Sequence, residues 1–160
     1  MGWDLLRYKE DGSNRRLKLT LPIPTSVNAM YTMRRSLTAD ARKFQKIANA
    51  LINEAIDEQN WQITEKGVWI YIDMIYYFPD RKTRDSHNCL KMLMDVMQDR
   101  VYENDMYALP RIQSVEYDKE NPRVEILITL QNKIQREKGM KMIKWLQYML
   151  SETMKKIGCI

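Results

Sequence analysis

The feature that most constrains the fold is the run from Val68 to Phe78, which is rich in aromatic and β-branched residues. Asp73 is its only charged residue. Such runs favour strands whose two faces are both covered. Gly67 precedes the run, and Pro79 ends it because proline cannot donate a hydrogen bond to a strand ladder. The sequence therefore predicts a central strand around which the other elements are arranged.

An earlier strand is predicted near the start of the chain. Leu17, Leu19 and Leu21 alternate with polar residues, which is the period of a half-buried strand. Pro22 ends it. The segment from Pro22 to Ser36 is polar and basic, and we expect it to form a loop that lies over a ligand.

Two helices are predicted, one before and one after the central strand. The first begins near Thr38 and runs to about Gln59, because apolar residues recur between them at helical spacing. The second begins near Ser86. Its predicted core face is formed by Leu90, Leu93, Met94 and Met97.

Two further strands are predicted after the second helix. The segments from Ile112 to Glu116 and from Val124 to Leu130 alternate in polarity, and the connection from Asp118 to Pro122 is typical of a hairpin. The fold class is therefore α+β. The core order is strand, helix, strand, helix, strand, strand, in a mixed sheet.

The C-terminal segment differs from the rest of the chain in charge. Residues 1–130 contain 19 basic and 19 acidic side chains, so residues 131–160 carry the whole net charge of +5. Apolar residues recur there in steps of three and four opposite lysines, which predicts a basic amphipathic helix. We expect it to pack on its own domain or on a second subunit, with docking at a membrane surface as the minor alternative. The predicted organisation is an N-terminal extension (1–14), a core domain (15–130) and a tail (131–160).

Length and composition exclude several classes of protein. At 160 residues the chain suits one domain with a real core. It contains no apolar stretch long enough to span a membrane and no secretory signal. Cys89 and Cys159 are far apart in the chain and predict reduced thiols rather than a disulfide framework. We therefore expect a cytoplasmic protein with no membrane span.

The residues that carry chemistry come directly after the central strand. Asp85, His87, Asn88 and Lys91 place a carboxylate, an imidazole, an amide and an ammonium within two helical turns, and Asp105 lies in an acidic loop further on. Carboxylates hold hard divalent cations, and a nearby lysine can neutralise charge on a phosphodiester. The pattern indicates a metal-dependent nuclease.

Each of these residues also has an ordinary structural interpretation. Asp85 is placed to cap a helix, and Lys91 can form a surface pair with Asp95 at i, i+4. A lone histidine is more often a hydrogen-bonded bystander than a ligand. Asp105 suits an ordinary turn. The combination of residues, rather than any one of them, favours the functional interpretation.

Several short segments also follow one another in a distinctive order: Leu21 to Asn28, Phe78 to Arg81, Arg84 to Lys91, Asp95, and Val101 to Asp105. Their order and spacing resemble those of the RusA-type Holliday-junction resolvases. The resemblance extends over about Leu17 to Leu130 and leaves out the basic tail. We therefore interpret residues 15–130 as a RusA-like nuclease domain.

The resemblance implies a homodimeric, Mg²⁺-dependent endonuclease of bacteria and their prophages that nicks two opposed strands of a four-way DNA junction. In this family the catalytic residues are two acids of an Asp-x-Asp-Asn run, a lysine that follows it and a loop aspartate. Asp85 matches the first acid, Asn88 the asparagine, Lys91 the lysine and Asp105 the loop acid. His87 stands where the second acid would be. The implied metal ligands are Asp85, His87 and Asp105.

His87 is the main departure from the family pattern. A neutral imidazole there replaces a negative charge beside a cation that prefers oxygen, which makes a site that uses Mn²⁺ alongside Mg²⁺ plausible. His87 is then a metal ligand or a general base, and Lys91 neutralises charge that develops on the phosphate.

The residues expected to contact DNA lie in the basic loop and around the turn after the central strand: Asn28, Arg34, Arg35, Arg81, Lys82, Arg84 and Asn88. Contacts with the DNA backbone recognise shape more than base sequence. Two other functions stay open at this point. One is a catalytically weak junction- or DNA-binding phage protein that has lost strong metal binding through His87, and the other is an interaction protein whose function lies in residues 131–160.

Overall fold

The computed structural model describes residues 15–33, 35–82, 84–131 and 142–149. The predicted N-terminal extension and most of the predicted tail lie outside the described residues. The chain divides into two compact units, and the first ends at Leu130.

The first unit contains four strands, β1 (Arg16–Leu21), β2 (Ile70–Phe78), β3 (Ala108–Tyr117) and β4 (Arg123–Leu130). Its helices are α1 (Val27–Met30), α2 (Ala39–Glu58) and α3 (Leu90–Met97), and two short 3-10 turns span Ser86–Cys89 and Asp105–Tyr107. The α+β class and the mixed sheet are confirmed. The sequence did not predict α1, because a helix of four residues shows no periodicity.

The ends of α2 are fixed by side-chain hydrogen bonds. Thr38 caps its N-terminus, where Oγ1 accepts the N–H of Ala41 at 3.3 Å. Gln59 follows its last turn and bonds to the backbone of β1. Its Nε2 donates to the carbonyl of Lys18 at 2.8 Å, and its Oε1 accepts the N–H of Lys18 at 2.9 Å. The C-terminal end of α2 is therefore tied directly to the first strand.

The four strands form one sheet in the order β1-β4-β2-β3. β2 is parallel to β3 and antiparallel to β4, and β4 is antiparallel to β1. The predicted hairpin between β3 and β4 is wrong, because β2 lies between them. The chain passes over the end of β2, where the N–H of Asp118 donates to the carbonyl of Phe78 at 2.8 Å. Turn residues mark where a chain reverses but do not specify which strand it then pairs with.

One face of the sheet packs against α2 and α3 to form the main core. Alternate residues of the strands are buried there, together with four residues of α2: Ala41, Phe44, Ala48 and Ile52. On α3, Leu93 and Met97 are buried as predicted. Leu90 and Met94 are only half-buried, and Met92 and Val96 are buried in their place. The core-facing side of α3 is therefore rotated from the predicted one.

The other face of the sheet buries a charged cluster around Asp73 in the middle of β2. Arg111, directly opposite on β3, donates to both carboxylate oxygens, with Nε at 2.7 Å and Nη2 at 2.6 Å. Gln113 is the extra residue of a β-bulge, and its amide also donates to Asp73. The guanidinium of Arg111 lies 3.8 Å from the centre of the Tyr71 ring. Burial raises the pKa of Asp73 to about 6.

A second charged cluster lies on the same face at the start of β4. Arg123 donates to Glu125 at 2.9 Å and to Asp118 at 2.7 Å, and its guanidinium lies 3.8 Å from the centre of the Tyr77 ring. The hydroxyl of Tyr77 lies 3.5 Å from Glu125. In these two clusters the charges are thus paired with one another, and both arginines lie over aromatic rings.

The described part of the second unit, residues 142–149, is a helix. This confirms a helix in the predicted tail. Its apolar side chains include Ile143, Trp145 and Leu146, which are all exposed. Among the described residues, no helix combines the length and the hydropathy needed to cross a membrane.

Candidate active site at the end of the central strand

The turn that leaves β2 is braced by an ion pair between Asp80 and Arg84. The guanidinium of Arg84 binds both carboxylate oxygens, with Nη2 at 2.9 Å from Oδ2, and lies 5.2 Å from the centre of the Phe78 ring. Asp80 Oδ1 also accepts the N–H of Lys82 at 3.0 Å. Hydrogen bonds from Arg84 and then from Lys82 lower the pKa of Asp80 to about 2. The turn therefore has a defined shape where it reaches Asp85.

Asp85 and His87 come together at the start of the Ser86–Cys89 turn. Asp85 is the N-cap residue, and its Oδ1 accepts the N–H of His87 at 3.0 Å. The Nδ1 atom of His87 lies 3.3 Å from the same oxygen. Both side chains are exposed, Asp85 by 58% and His87 by 76%. Residues two apart in a regular α-helix point in different directions, so the irregular turn is what brings the carboxylate and the imidazole together.

Helix α3 continues from this turn and carries the predicted lysine. Lys91 Nζ lies 3.3 Å from each carboxylate oxygen of Asp95, and the two side chains are 52% and 33% exposed. An exposed pair at i, i+4 contributes only about 0.3–0.5 kcal/mol. Asn88 lies one turn earlier and is half-buried. Lys91 is therefore accessible, and a phosphate group can compete with its weak ion pair.

Asp105 begins the second 3-10 turn, and its side chain is exposed. It lies near Tyr102, whose buried hydroxyl donates to the carbonyl of Met94 at 2.9 Å. Burial raises the pKa of Tyr102, and the charges of Asp105 and then Asp95 raise it further. Asp105 and Asp95 therefore both lie close enough to Tyr102 to affect its ionisation.

Asp85 and Asp105 lie on different elements of the fold. Asp85 caps the Ser86–Cys89 turn that follows β2, whereas Asp105 begins the 3-10 turn just before β3. Helix α3, about 12 Å long, comes between them in the chain. Across residues 15–33, 35–82, 84–131 and 142–149, no group of three or more His, Cys, Asp or Glu side chains is arranged to hold a metal ion.

Asp85 and His87 are the residues that fit a divalent ion. Since Oδ1 of Asp85 accepts from His87, Oδ2 is the oxygen left for a ligand. Since Nδ1 of His87 faces the carboxylate, Nε2 points away from it. Mg²⁺ is usually bound by one or two carboxylates and keeps several waters, and an imidazole nitrogen suits Mn²⁺ as well. The pair therefore suits an ion whose remaining ligands come from water and substrate.

Most residues predicted to contact DNA are accessible. Asn28, Arg35, Arg81 and Lys82 are exposed, whereas Arg34 lies outside the described residues. Arg84 differs from them because its guanidinium is engaged by Asp80. The Asp80–Arg84 pair was not predicted, although opposite charges at i, i+4 were a visible signal in the sequence.

The basic turn that precedes Asp85 in the chain and the end of β3 line an open cleft of about 300 Å³. Arg81 lies on its wall with its guanidinium 5.6 Å from the centre of the Tyr117 ring. Lys82, Arg84 and Glu116 also line it. The cleft therefore gathers three cations of the turn that leads to Asp85.

An exposed carboxylate–imidazole pair, a lysine one turn further on and a cleft lined by cations of the preceding turn are features of an enzyme that cleaves phosphodiester bonds. The sequence model of the family Endodeoxyribonuclease RusA matches residues 17–129, which are most of the chain. The chain therefore belongs to the RusA endodeoxyribonuclease family, and the resemblance seen in its short segments is confirmed. Membership implies an endonuclease that resolves Holliday junctions. A search of curated proteins finds no match to the chain.

Proposed function

We propose that this protein resolves four-way DNA junctions by metal-dependent hydrolysis of two opposed strands, in DNA recombination and repair. Membership of the RusA family supports the endonuclease activity and the junction substrate. The observation that supports metal-dependent chemistry is the exposed pair of Asp85 and His87 at the end of the central strand.

Asp85 and His87 are the proposed holders of the Mg²⁺ or Mn²⁺ ion. When it is bound, such an ion polarises the scissile phosphate and lowers the pKa of a water. Asp85 contributes negative charge through Oδ2. His87 contributes Nε2 as a ligand or as the general base that takes a proton from the attacking water. Asp105 is the third proposed ligand, as family membership implies, and its position beyond α3 makes a separate test necessary.

Lys91 is the proposed electrostatic partner of the reacting phosphate. It lies one helical turn after His87 on an exposed face, where its ammonium pairs with Asp95. A positive charge fixed near a phosphate stabilises the negative charge that grows as the bond to the attacking oxygen forms. In this proposal Lys91 leaves Asp95 for the phosphate when DNA binds.

Recognition of the junction is proposed to use the exposed cations around the site. Arg35, Arg81 and Lys82 are placed to contact the DNA backbone, together with the amide of Asn28, and Arg84 holds the turn that presents them. Two symmetric nicks require two sites related by a two-fold axis, which a homodimer supplies. The proposed location is the cytoplasm of a bacterium or of a cell that carries a prophage.

Replacement of Asp85 by Asn tests the proposal. The purified wild-type protein should cut a synthetic mobile four-way junction with Mg²⁺ or Mn²⁺ and leave 5′-phosphates, with linear duplex as the control substrate. Asp85→Asn should bind the junction with unchanged affinity and cut it about 10³-fold more slowly, because the carboxylate that holds the ion is lost. A gel-shift titration and single-turnover cleavage measure the two quantities.

Asp99→Asn is the matched control for this experiment. Asp99 is an exposed acid with a left-handed φ of 62°, which asparagine tolerates. It should leave cleavage unchanged. The cleavage rate of Asp105→Asn should fall like that of Asp85→Asn if Asp105 is a ligand of the same ion. If the wild-type protein binds junctions but does not cut them, whichever metal is added, the result contradicts the proposal and favours a junction-binding protein.

A further inference from the structure

The segment after α1 forms a closed hairpin with Met33 at its tip. Tyr31 and Leu37 form an antiparallel bridge at its base. The N–H of Thr32 donates to the carbonyl of Ser36 at 2.8 Å, and the two hydroxyl oxygens lie 2.7 Å apart. We call the described residues of this segment, 31–33 and 35–37, the Met33 hairpin. The Tyr31–Leu37 bridge and the adjacent Thr32–Ser36 pair give it a defined shape without help from the core.

The Met33 hairpin is also anchored at both ends. Arg35 adopts a left-handed φ of 57°, and its N–H donates to the carbonyl of Thr32 at 2.9 Å, which closes the turn. Thr38 then bonds back to α1. Its N–H donates to the carbonyl of Met30 at 3.0 Å, and its hydroxyl donates to the carbonyl of Ala29 at 2.9 Å. The hairpin is therefore fixed between α1 and the start of α2.

Met33 is fully exposed on this support, with a relative accessibility of 104%. Among the described residues it is the most exposed large apolar side chain. Single exposed apolar residues are common and need no explanation by themselves. Met33 differs because it lies at the tip of a hydrogen-bonded hairpin with the exposed cation Arg35 beside it.

The hairpin lies close to the candidate active site. Helix α1, which it follows directly, contacts the Ser86–Cys89 turn that carries His87. The thiol of buried Cys89 also lies 3.7 Å from the carbonyl of Pro24, just before α1. The elements that support the hairpin and the Asp85–His87 pair are therefore packed together.

We propose that Met33 is a wedge that inserts between bases at the branch point of the junction. Proteins that kink DNA insert apolar side chains, methionine among them, between base steps at a cost of a few kcal/mol per step. Bases that are already poorly stacked are the least costly to separate. Insertion of Met33 with Arg35 on a flanking phosphate thus selects a branch point over continuous duplex. This inference rests on junction DNA being the substrate.

The test measures base unstacking directly. A synthetic four-way junction carries 2-aminopurine at the point of strand exchange, in buffer without divalent metal so that no strand is cut. Wild-type protein should raise its fluorescence severalfold. Met33→Ala should lose at least half of this rise, whereas Met33→Leu should keep it, because leucine has a similar apolar volume. With metal added, Met33→Ala should also cut the junction about tenfold more slowly.

Ile63→Ala is the matched control. Ile63 is 41% exposed and follows the far end of α2, about 30 Å along that helix from the hairpin. It should leave fluorescence and cleavage unchanged. The wedge is overturned if Met33→Ala raises the fluorescence as much as the wild type does, or if the wild type does not raise it. Either result holds whether or not the junction is cut. If Met33→Ala removes the rise in fluorescence but the wild-type protein does not cut the junction with any metal, the wedge is supported while the proposed cleavage fails.

Discussion

Asp73 and Asp85 lie twelve positions apart in the chain, yet their surroundings are opposite. Asp73 is completely buried within β2, and Arg111 and Gln113 bond to its carboxylate. Asp85 follows the same strand and is 58% exposed, and its two contacts, both with His87, use one oxygen. The chain thus places an acid with both carboxylate oxygens hydrogen-bonded inside the sheet, and an acid with one carboxylate oxygen available just beyond the end of the strand.

The difference shows which acid is available for chemistry. A buried charge is tolerated only when it is paired and hydrogen-bonded, so the contacts of Asp73 are required by the fold. An exposed carboxylate is solvated by water, which a metal ion or a phosphate-bound ion can displace at little cost. The sole charge in the apolar run Val68–Phe78 is therefore a structural residue, and the functional candidate lies where burial ends.

The largest expected effect comes from breaking the buried cluster. Arg111→Met should lower the free energy of unfolding by about 3–5 kcal/mol, because it leaves Asp73 buried without its guanidinium partner. Urea unfolding measures this loss. The folded fraction should cut junctions at the wild-type rate. The double variant Asp73→Leu, Arg111→Met should recover most of the stability, and a single variant as stable as the wild type would show that the pair is not required.

A middle-sized effect is expected from changing the exposed pair. His87→Asp should lower the Mg²⁺ concentration needed for half-maximal cleavage on the order of tenfold, because it adds a carboxylate beside a cation that prefers oxygen. Its free energy of unfolding should change by less than about 0.5 kcal/mol. His87→Asn is the control of equal size without the charge. Equal Mg²⁺ requirements in the two variants would place residue 87 away from the ion.

The smallest effect concerns the ion pair that braces the turn between the two acids. Because Arg84 lowers the pKa of Asp80 to about 2, from an ordinary 3.8, this group stabilises the folded state above pH 3.8. That contribution is lost as the pH falls towards 2. Arg84→Gln should return the carboxyl titration of Asp80, followed by carbon-13 NMR, towards 3.8. Arg81→Gln should leave it near 2, and an unshifted midpoint in Arg84→Gln would assign the low pKa to the backbone hydrogen bond alone.

The sequence predicted the elements with strong local signals. The apolar run predicted from Val68 to Phe78 is the strand Ile70–Phe78, and Thr38 caps the first long helix. Both depend on composition or capping within a few residues. Family membership was also visible, because short segments in a fixed order keep their signal without knowledge of the fold.

The sequence could not predict features that depend on pairing between distant segments. The turn residues between β3 and β4 gave no sign that β2 lies between them. Nothing in the chain marked Arg111 as the partner of Asp73, because only the strand register sets them opposite each other. Spacing along the chain does not say at which end of a strand pair each residue lies.

The position of β4 sets the order in which the sheet can be completed. It is the last of the four described strands, yet it lies between β1 and β2, which do not pair with each other. A growing chain that ends before Arg123 has β1 and β2 without the strand that joins them. β2 and β3 can pair before this point, but the hydrogen bonds that join β1 to the rest of the sheet form only after synthesis has passed Leu130, and pairing over such a distance favours slow folding. The protein is thus most exposed to aggregation and proteolysis just before its last strand is made.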